Sequence, residues 1–265
     1  MNGVIHFTLI KLREPAYMIM FSIAVLLGYV MTGTSPIQDE SSASLWTQII
    51  SSNSGYSVLP CSFVALGITA IITIFTASSE IPREIDSGVI MLILSKPISK
   101  TEYLLGKFIG TIIICLMIFL ATLLTSFLTR YIYLKEFYSP MIIMRQLYMF
   151  LPIIPLTALS ITVSCFLSDI SAMIIVTIYI TFSIFFSIVP LAIALLPKTL
   201  SAGVDAYILV FYYFFPNFIY FFQNFQLAGV ILLSLLFYTI SLTIIFLTIG
   251  ANRINSCDLT RGSMS

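Results

Sequence analysis

Six long runs of this sequence contain no Asp, Glu, Lys or Arg, and they constrain the fold more than any other feature. Each run has 18 residues or more, and a helix of about 20 apolar residues crosses the hydrocarbon core of a bilayer. In lipid, backbone N–H and C=O groups must be satisfied within the segment, which a helix achieves and an isolated strand does not. The runs therefore predict six transmembrane helices, at about residues 16–33, 57–79, 108–129, 146–168, 170–197 and 227–250.

The composition supports the same interpretation. The chain is 59% hydrophobic and 9% charged, whereas an ordinary soluble domain is about 25% charged. Lipid must therefore be the solvent for most of the surface, and we expect an all-α integral membrane protein with a single transmembrane domain, residues 1–265. The first apolar run is longer than the roughly 7–15 residues of a signal-peptide core, so we interpret it as a membrane helix. A net charge of +1 argues against a nucleic-acid partner.

The distribution of Lys and Arg predicts the orientation in the membrane. With both termini in the cytoplasm, eight of these residues lie inside and four outside, which agrees with the positive-inside rule. We therefore expect a multi-pass protein with both termini cytoplasmic, and we assign it to the plasma membrane of a prokaryote. The inside set is Lys11, Arg13, Arg83, Lys96, Lys100, Lys107, Arg253 and Arg261, and the outside set is Arg130, Lys135, Arg145 and Lys198.

The segment 80–107 interrupts this apolar pattern, because charged residues, Gly and Pro crowd into it. From Glu84 to Ser95 the apolar residues repeat at helical spacing, which predicts an amphipathic helix on the inner membrane surface. Pro97 ends that helix. Ser99 and Glu102 then have the spacing of a capping box, which marks the start of another helix.

The third membrane helix is therefore expected to begin at about Lys100, well before its apolar run. Ile98 and Tyr103 are spaced for a hydrophobic staple around this start. A helix from there to Thr129 would measure about 45 Å, longer than the roughly 30 Å hydrocarbon core, so its first turns project into the cytoplasm. The surface helix and the membrane helix would form a rigid knuckle that transmits motion. A linker that only lines the membrane edge is the alternative.

The stretch 198–226, on the predicted outside, is rich in Phe and Tyr. Pro216-Asn217 divides it, because Pro breaks a helix, and we expect a re-entrant hairpin of two half-helices before the sixth helix. Aromatic side chains at headgroup level commonly anchor a protein in the interface, and an outer gate is the alternative role. The gate candidates are Tyr212, Phe215, Pro216 and Phe218.

Several of these residues form one combined pattern: Glu84-x-Asp86-x-Gly88, Leu92 and Leu94, Pro97-x-Ser99, Glu102 and Gly106-Lys107. The pattern resembles the signature of ABC-2 type permeases, the membrane subunits of ATP-binding-cassette exporters. Two positions depart from it conservatively, since Asp86 stands where Glu is usual and Lys100 where Arg is usual. Arg and Lys differ in bonding geometry, so a bidentate contact at Lys100 is not expected.

The resemblance implies a role for the segment. In that family the first cytoplasmic loop is a coupling helix, here between the second and third helices, and it docks on a separate ATPase subunit that binds ATP and Mg²⁺. Residues 6–15 would be an amphipathic elbow before the first helix. Two permease chains, identical or similar, would work with two ATPase chains. The candidate coupling residues are Glu80, Arg83, Glu84, Asp86, Gly88, Lys96, Pro97, Ser99, Lys100, Glu102 and Lys107.

Other classes of function lack the residues they need. Gly106-Lys107 is followed by Phe108 and lacks the earlier Gly of a Walker A loop, so the chain is not expected to hydrolyse ATP or to bind a cofactor itself. An intramembrane enzyme or metal site would need His or buried carboxylates, and the chain has one His. An ion-coupled transporter normally carries an ionisable residue within the membrane, and the six runs have none. Sodium coupling through carbonyl and hydroxyl groups at broken helices stays open as an alternative, with Pro60, Pro152, Pro155 and Pro190 as candidates. A non-transporting anchor or sensor also stays open.

Overall fold

The computed structural model describes residues 4–5, 22, 59–90, 98–135, 143, 147–194 and 229–256. Within these residues the regular structure is helical, without strands, which confirms the all-α prediction for this part of the chain. The predicted first span (apart from Ser22) and the predicted outer hairpin lie outside the described residues. The main helices are α1 (Leu59–Asp86), α2 (Lys100–Leu134), α3 (Ile153–Ser164), α4 (Asp169–Ala194) and α5 (Gly229–Ser256).

By length and composition, three stretches of the described helices can cross a membrane. They are Ala65–Asp86, Lys100–Thr125 and Leu233–Ile254. Two shorter apolar segments, Ile153–Ser164 and Asp169–Ser183, accompany them. The protein is therefore a helical membrane protein, as its composition predicts.

Contacts between helix ends show that α1 runs antiparallel to α4 and that α2 runs antiparallel to α5. The end of α1 lies beside the start of α4, where Arg83 Nε donates to Asp169 Oδ2 at 2.8 Å. The start of α2 lies beside the end of α5, where Lys100 Nζ donates to the backbone oxygen of Ile254 at 3.2 Å. We call this side of the bundle the charged end. Its charged residues are Glu80, Arg83, Glu84, Asp86, Lys100, Glu102, Lys107, Asp169 and Arg253.

The short helix α3 is the most enclosed element. It has 12 residues and contacts α1, α2, α4 and α5. Against α5 the approach is close, since Thr162 Oγ1 donates to the backbone oxygen of Phe246 at 2.7 Å. A Cβ atom added to Gly250 would lie 3.2 Å from Thr162 Oγ1. Residues of α3 also belong to two apolar clusters that include residues of α1 and α2, so α3 packs these helices together.

At the end of α1, the predicted boundary between membrane helix and surface helix is wrong. The sequence predicts a surface helix from Glu84, but α1 continues through Pro82 to Asp86. The chain turns only at Ser87 and Gly88, where Gly88 has φ +71° and its N–H donates to Ile85 O at 3.0 Å. A left-handed Gly is a common way to end a helix. Residues 89–90 are helical again, and 91–97 lie outside the described residues.

The predicted start of the next helix is confirmed. Helix α2 begins at Lys100 with Ser99 as N-cap, and Ser99 and Glu102 form both hydrogen bonds of the capping box. Tyr103 is buried in an apolar cluster with Val4 and Ile90, and Ile98 packs against the same cluster, as expected for a hydrophobic staple. The helix has 35 residues, about 52 Å at 1.5 Å per residue.

Candidate functional site

A cluster of ionisable side chains lies buried where α1 meets α2. Glu80 and Glu84 are one turn apart on α1, and Tyr103 and Lys107 are one turn apart on α2, so each pair faces the other helix. Lys107 is fully buried, and Glu80 and Glu84 are 3% and 4% exposed. Charged side chains are almost never this buried unless they are paired.

Glu84 is held at both carboxylate oxygens by residues of α2. Lys107 Nζ donates to Oε1 at 2.5 Å, and the Tyr103 hydroxyl donates to Oε2 at 2.6 Å. Charge-assisted hydrogen bonds of this kind are stronger than neutral ones. A single side chain of α1 is therefore fixed by two successive turns of α2.

Glu80 completes the cluster one turn before Glu84 on α1. Its Oε2 lies 3.7 Å from Lys107 Nζ and 3.5 Å from Thr111 Oγ1. The Thr111 hydroxyl also lies 2.9 Å from the backbone oxygen of Lys107. The lysine ammonium thus stands between two carboxylates of one helix, which offsets much of the cost of removing all three charges from water.

Around the buried cluster, the charged end carries exposed side chains. Asp86, Ser99 and Glu102 are exposed, and the Arg83 side chain is 68% exposed while paired with Asp169. Lys100 donates to the last turn of α5, where a cation stabilises the free carbonyl groups of a helix C-terminus.

The structure thus separates the predicted coupling residues into two groups. Glu80, Glu84 and Lys107 face inward and bond to one another, so they are not available to touch a partner directly. Arg83, Asp86, Ser99 and Glu102 are on the surface. Gly88 lies in the turn that follows α1. Lys100 is half-buried against the end of α5. The remaining candidates, Lys96 and Pro97, and the predicted outer gate (Tyr212, Phe215, Pro216 and Phe218) lie outside the described residues.

Sequence reasoning missed three participants at the charged end. Tyr103 was assigned only to the staple, yet its hydroxyl holds Glu84. Asp169 was not among the predicted site residues, yet it is the first residue of α4 and its carboxylate pairs with Arg83. Arg253 lies over the ring of Phe166, 5.3 Å from the ring centroid. The sequence contains one sign of the buried cluster: Glu80 and Glu84 are spaced i, i+4, as are Tyr103 and Lys107, so each pair lies on one face of its helix.

One argument against ion-coupled transport also needs correction. The apolar runs contain no ionisable residue, but the helices extend beyond the runs, and the spans in α1 and α2 include Glu80, Glu84 and Lys107. The premise that no charge is buried among the membrane helices is therefore wrong. Glu80 and Glu84 are, however, both paired with Lys107, and they lie within two helical turns of the exposed Asp86 on α1.

Fold and site together define a class: a multi-pass helical membrane protein whose one strongly charged segment joins two of its membrane helices. The sequence model of the protein family described as ABC-2 family transporter protein matches residues 11–253 of the chain. The chain therefore belongs to the ABC-2 transporter family, and it is a transmembrane permease component rather than a catalytic subunit. A search of curated proteins finds no match.

Proposed function

We propose that this chain is the permease subunit of an exporter driven by a separate ATP-binding-cassette ATPase. The segment 80–107 would be the docking element for that ATPase at the cytoplasmic face. The observation that carries the proposal is the family match over residues 11–253. It is supported by the exposed polar side chains of the segment 80–107, which is hydrogen-bonded to α2 through Glu84. ATP and Mg²⁺ would be bound by the partner chain.

Docking would use the exposed residues of the charged end. Asp86 and Glu102 supply negative charge, and Ser99 supplies a hydroxyl at the corner where α2 begins. Rim charges of this kind set the orientation and association rate of a partner more than its final affinity. We therefore expect the ATPase to present a basic surface here, with Gly88 and the residues around Pro97 giving the segment its shape.

Motion would pass from the docking surface into the membrane along α2. When two ATPase chains bind ATP and close, they would displace the coupling segments of two permease chains, identical or similar. Helix α2 is one continuous helix from Lys100 to Leu134, and a rigid helix carries a displacement at one end to the other. That movement would open or narrow a path between the two permease chains. The predicted outer gate would be the far end of this path.

A co-purification experiment tests the proposed function. The chain is tagged in its native membrane, solubilised gently and tested for a co-purifying protein with a Walker A sequence and Mg²⁺-dependent ATPase activity. We expect such a protein with the unaltered chain and its loss in Asp86→Lys/Glu102→Lys, because both side chains are exposed. Purification of the intact chain without any ATPase activity would contradict the proposal.

The matched control is Lys135→Glu. Lys135 is exposed at the opposite end of α2, so reversing its charge tests for a general electrostatic effect. We expect the ATPase to be retained in this variant. Equal loss from both ends of the helix would count against docking at the charged end.

A further inference from the structure

We propose that Glu84, Lys107 and Tyr103 form a rigid joint that makes the end of α1 and the start of α2 move as one body. The inference rests on the proposed function for its role in transport, but the joint itself is a property of this chain alone. In it, the buried residues of the charged segment are positioning residues, and the exposed ones receive the partner.

The connection between α1 and α2 makes such a joint necessary. Between Asp86 and Lys100 the chain turns at Gly88, which has φ +71°. Glycine has no Cβ atom and restrains its backbone little, so the turn itself is not stiff. A push on this segment could be absorbed by bending at the turn. Displacement reaches the membrane helices efficiently only where the two helix ends are tied together.

The buried cluster provides that tie immediately behind the turn. Glu84 lies four residues before Gly88, and both of its oxygens are occupied by side chains of α2. Tyr103 and Lys107 are on successive turns of α2, so their bonds to one carboxylate resist both sliding and rotation of the helices. Because the three side chains are buried, water does not compete for these bonds, and each is stronger than at the surface.

Stability alone does not require a buried ion pair between these two helices. Apolar side chains of similar volume would pack the same space, and replacing a buried ion pair in this way is often neutral or stabilising. What an apolar contact lacks is direction, since hydrogen bonds weaken steeply away from their preferred angle. The ionic cluster therefore fixes the relative position of two helices more sharply than an apolar contact would.

Spin-label distances test the joint in the purified chain. Labels are placed at Asp86→Cys and Leu120→Cys, two exposed positions on α1 and α2, in a background with its four cysteines replaced by Ala. In the unaltered joint we expect a narrow distance distribution. In Glu84→Gln/Lys107→Met, which removes both charges of the Glu84–Lys107 pair and leaves Glu80 with its contact to the Thr111 hydroxyl, we expect a clearly broader or displaced one.

A label pair within α2, at Glu102→Cys and Leu120→Cys, controls for loss of the fold. Its distribution should be the same with and without the joint. Tyr103→Phe provides a milder test, because it removes one hydrogen bond and leaves the ion pair intact. It should broaden the Asp86–Leu120 distribution by less than the double variant does. Unchanged Asp86–Leu120 distributions in both variants would overturn the inference.

A second readout separates the joint from the proposed function. In the complex with its ATPase, a non-hydrolysable ATP analogue should shift the distance between labels at Leu120→Cys and Ile240→Cys, which is exposed on α5. In Glu84→Gln/Lys107→Met we expect the ATPase still to co-purify but the shifted population to fall by about tenfold. Failure of the unaltered chain to bind any ATPase would refute the proposed function. A full shift in the double variant would refute the transmitting role of the joint.

Discussion

Arg83 on α1 donates through Nε to Asp169 Oδ2 on α4, at 2.8 Å, and so links two helices across the charged end. Arg83 is the sequence neighbour of Glu84, yet its ion pair and the buried Glu84–Lys107 pair differ in exposure. The Arg83 side chain is 68% exposed and that of Lys107 is fully buried. Since water screens the first pair and not the second, the two ion pairs should respond very differently to mutation.

We expect Arg83→Ala to have little effect on stability. An exposed ion pair contributes about 0–1 kcal/mol, so the midpoint of thermal unfolding of the detergent-solubilised chain should stay close to that of the unaltered protein. Size-exclusion chromatography after heating measures this midpoint. A loss as large as that caused by changes at Lys107 would show that Arg83 has a structural role that its exposure does not explain.

Lys107→Met should be strongly destabilising. The substitution leaves Glu84 buried beside Glu80 without the ammonium group, and breaking a buried pair in this way costs about 3–5 kcal/mol. Adding Glu84→Gln to the same chain should recover part of the loss, because it removes one of the two carboxylate charges that Lys107 compensated. A double-mutant cycle on the thermal midpoints measures the coupling between the two residues. Additive effects of the two substitutions would contradict the pairing.

Gly250→Ala and Gly67→Ala form a matched pair for helix packing. A Cβ atom at Gly250 would lie 3.2 Å from Thr162 Oγ1 and 3.5 Å from Leu104 Cδ2, whereas nothing lies within 4 Å of one at Gly67. Gly250→Ala should therefore destabilise the contact of α5 with α3. Gly67→Ala should be neutral or stabilising by up to about 1 kcal/mol, because Ala favours the helix. Thermal midpoints of both variants check the difference, and equal effects would argue against the close α3–α5 contact.

Ser99→Ala should fray the start of α2. The Ser99 hydroxyl accepts a hydrogen bond from the Glu102 N–H at 3.2 Å, and loss of an N-cap costs about 0.5–2 kcal/mol. Faster hydrogen exchange of the amides in the first turn would report the fraying, with the amides near Leu120 as the internal reference. Ser99→Asp, which keeps a capping oxygen, should retain the protection. Equal exchange in all three proteins would mean that the cap does not limit opening.

Gly88→Val should disturb the turn more than Gly88→Asn. The residue has φ +71°, which β-branched side chains rarely adopt and Asn tolerates. We expect reduced co-purification of the ATPase with the Val variant and near-normal levels with the Asn variant. The same outcome for both substitutions would indicate that this backbone conformation is not required for docking.

Much of this architecture could be predicted because its causes are local. The apolar runs report contact with lipid, and the Ser99–Glu102 spacing reports a helix start directly. The start of α2 at Lys100 was therefore predicted correctly. The same local reasoning also identified the segment 80–107 as the unusual part of the chain.

The rest depended on contacts between distant parts of the sequence. From its own helix, Glu84 is predicted to face solvent. Nothing near it in the sequence indicates that Lys107 and Tyr103 of α2 contact it. The end of α1 was placed too early for a related reason. The apolar run stops at Ser79, but Glu80 and Glu84 are compensated by another helix, so α1 continues past the end of this run to Asp86.

Site-specific photo-crosslinking tests the central claim, that an ATPase docks on the charged end, most directly. A benzophenone-bearing residue is incorporated at the position of Asp86, Ser99 or Tyr131 in native membranes, the last being exposed near the opposite end of α2. After illumination, docking predicts a covalent adduct between the permease and a Walker A protein at the first two positions and none at the third. Absence of the adduct at Asp86 and Ser99, or an equal yield at Tyr131, would contradict the claim.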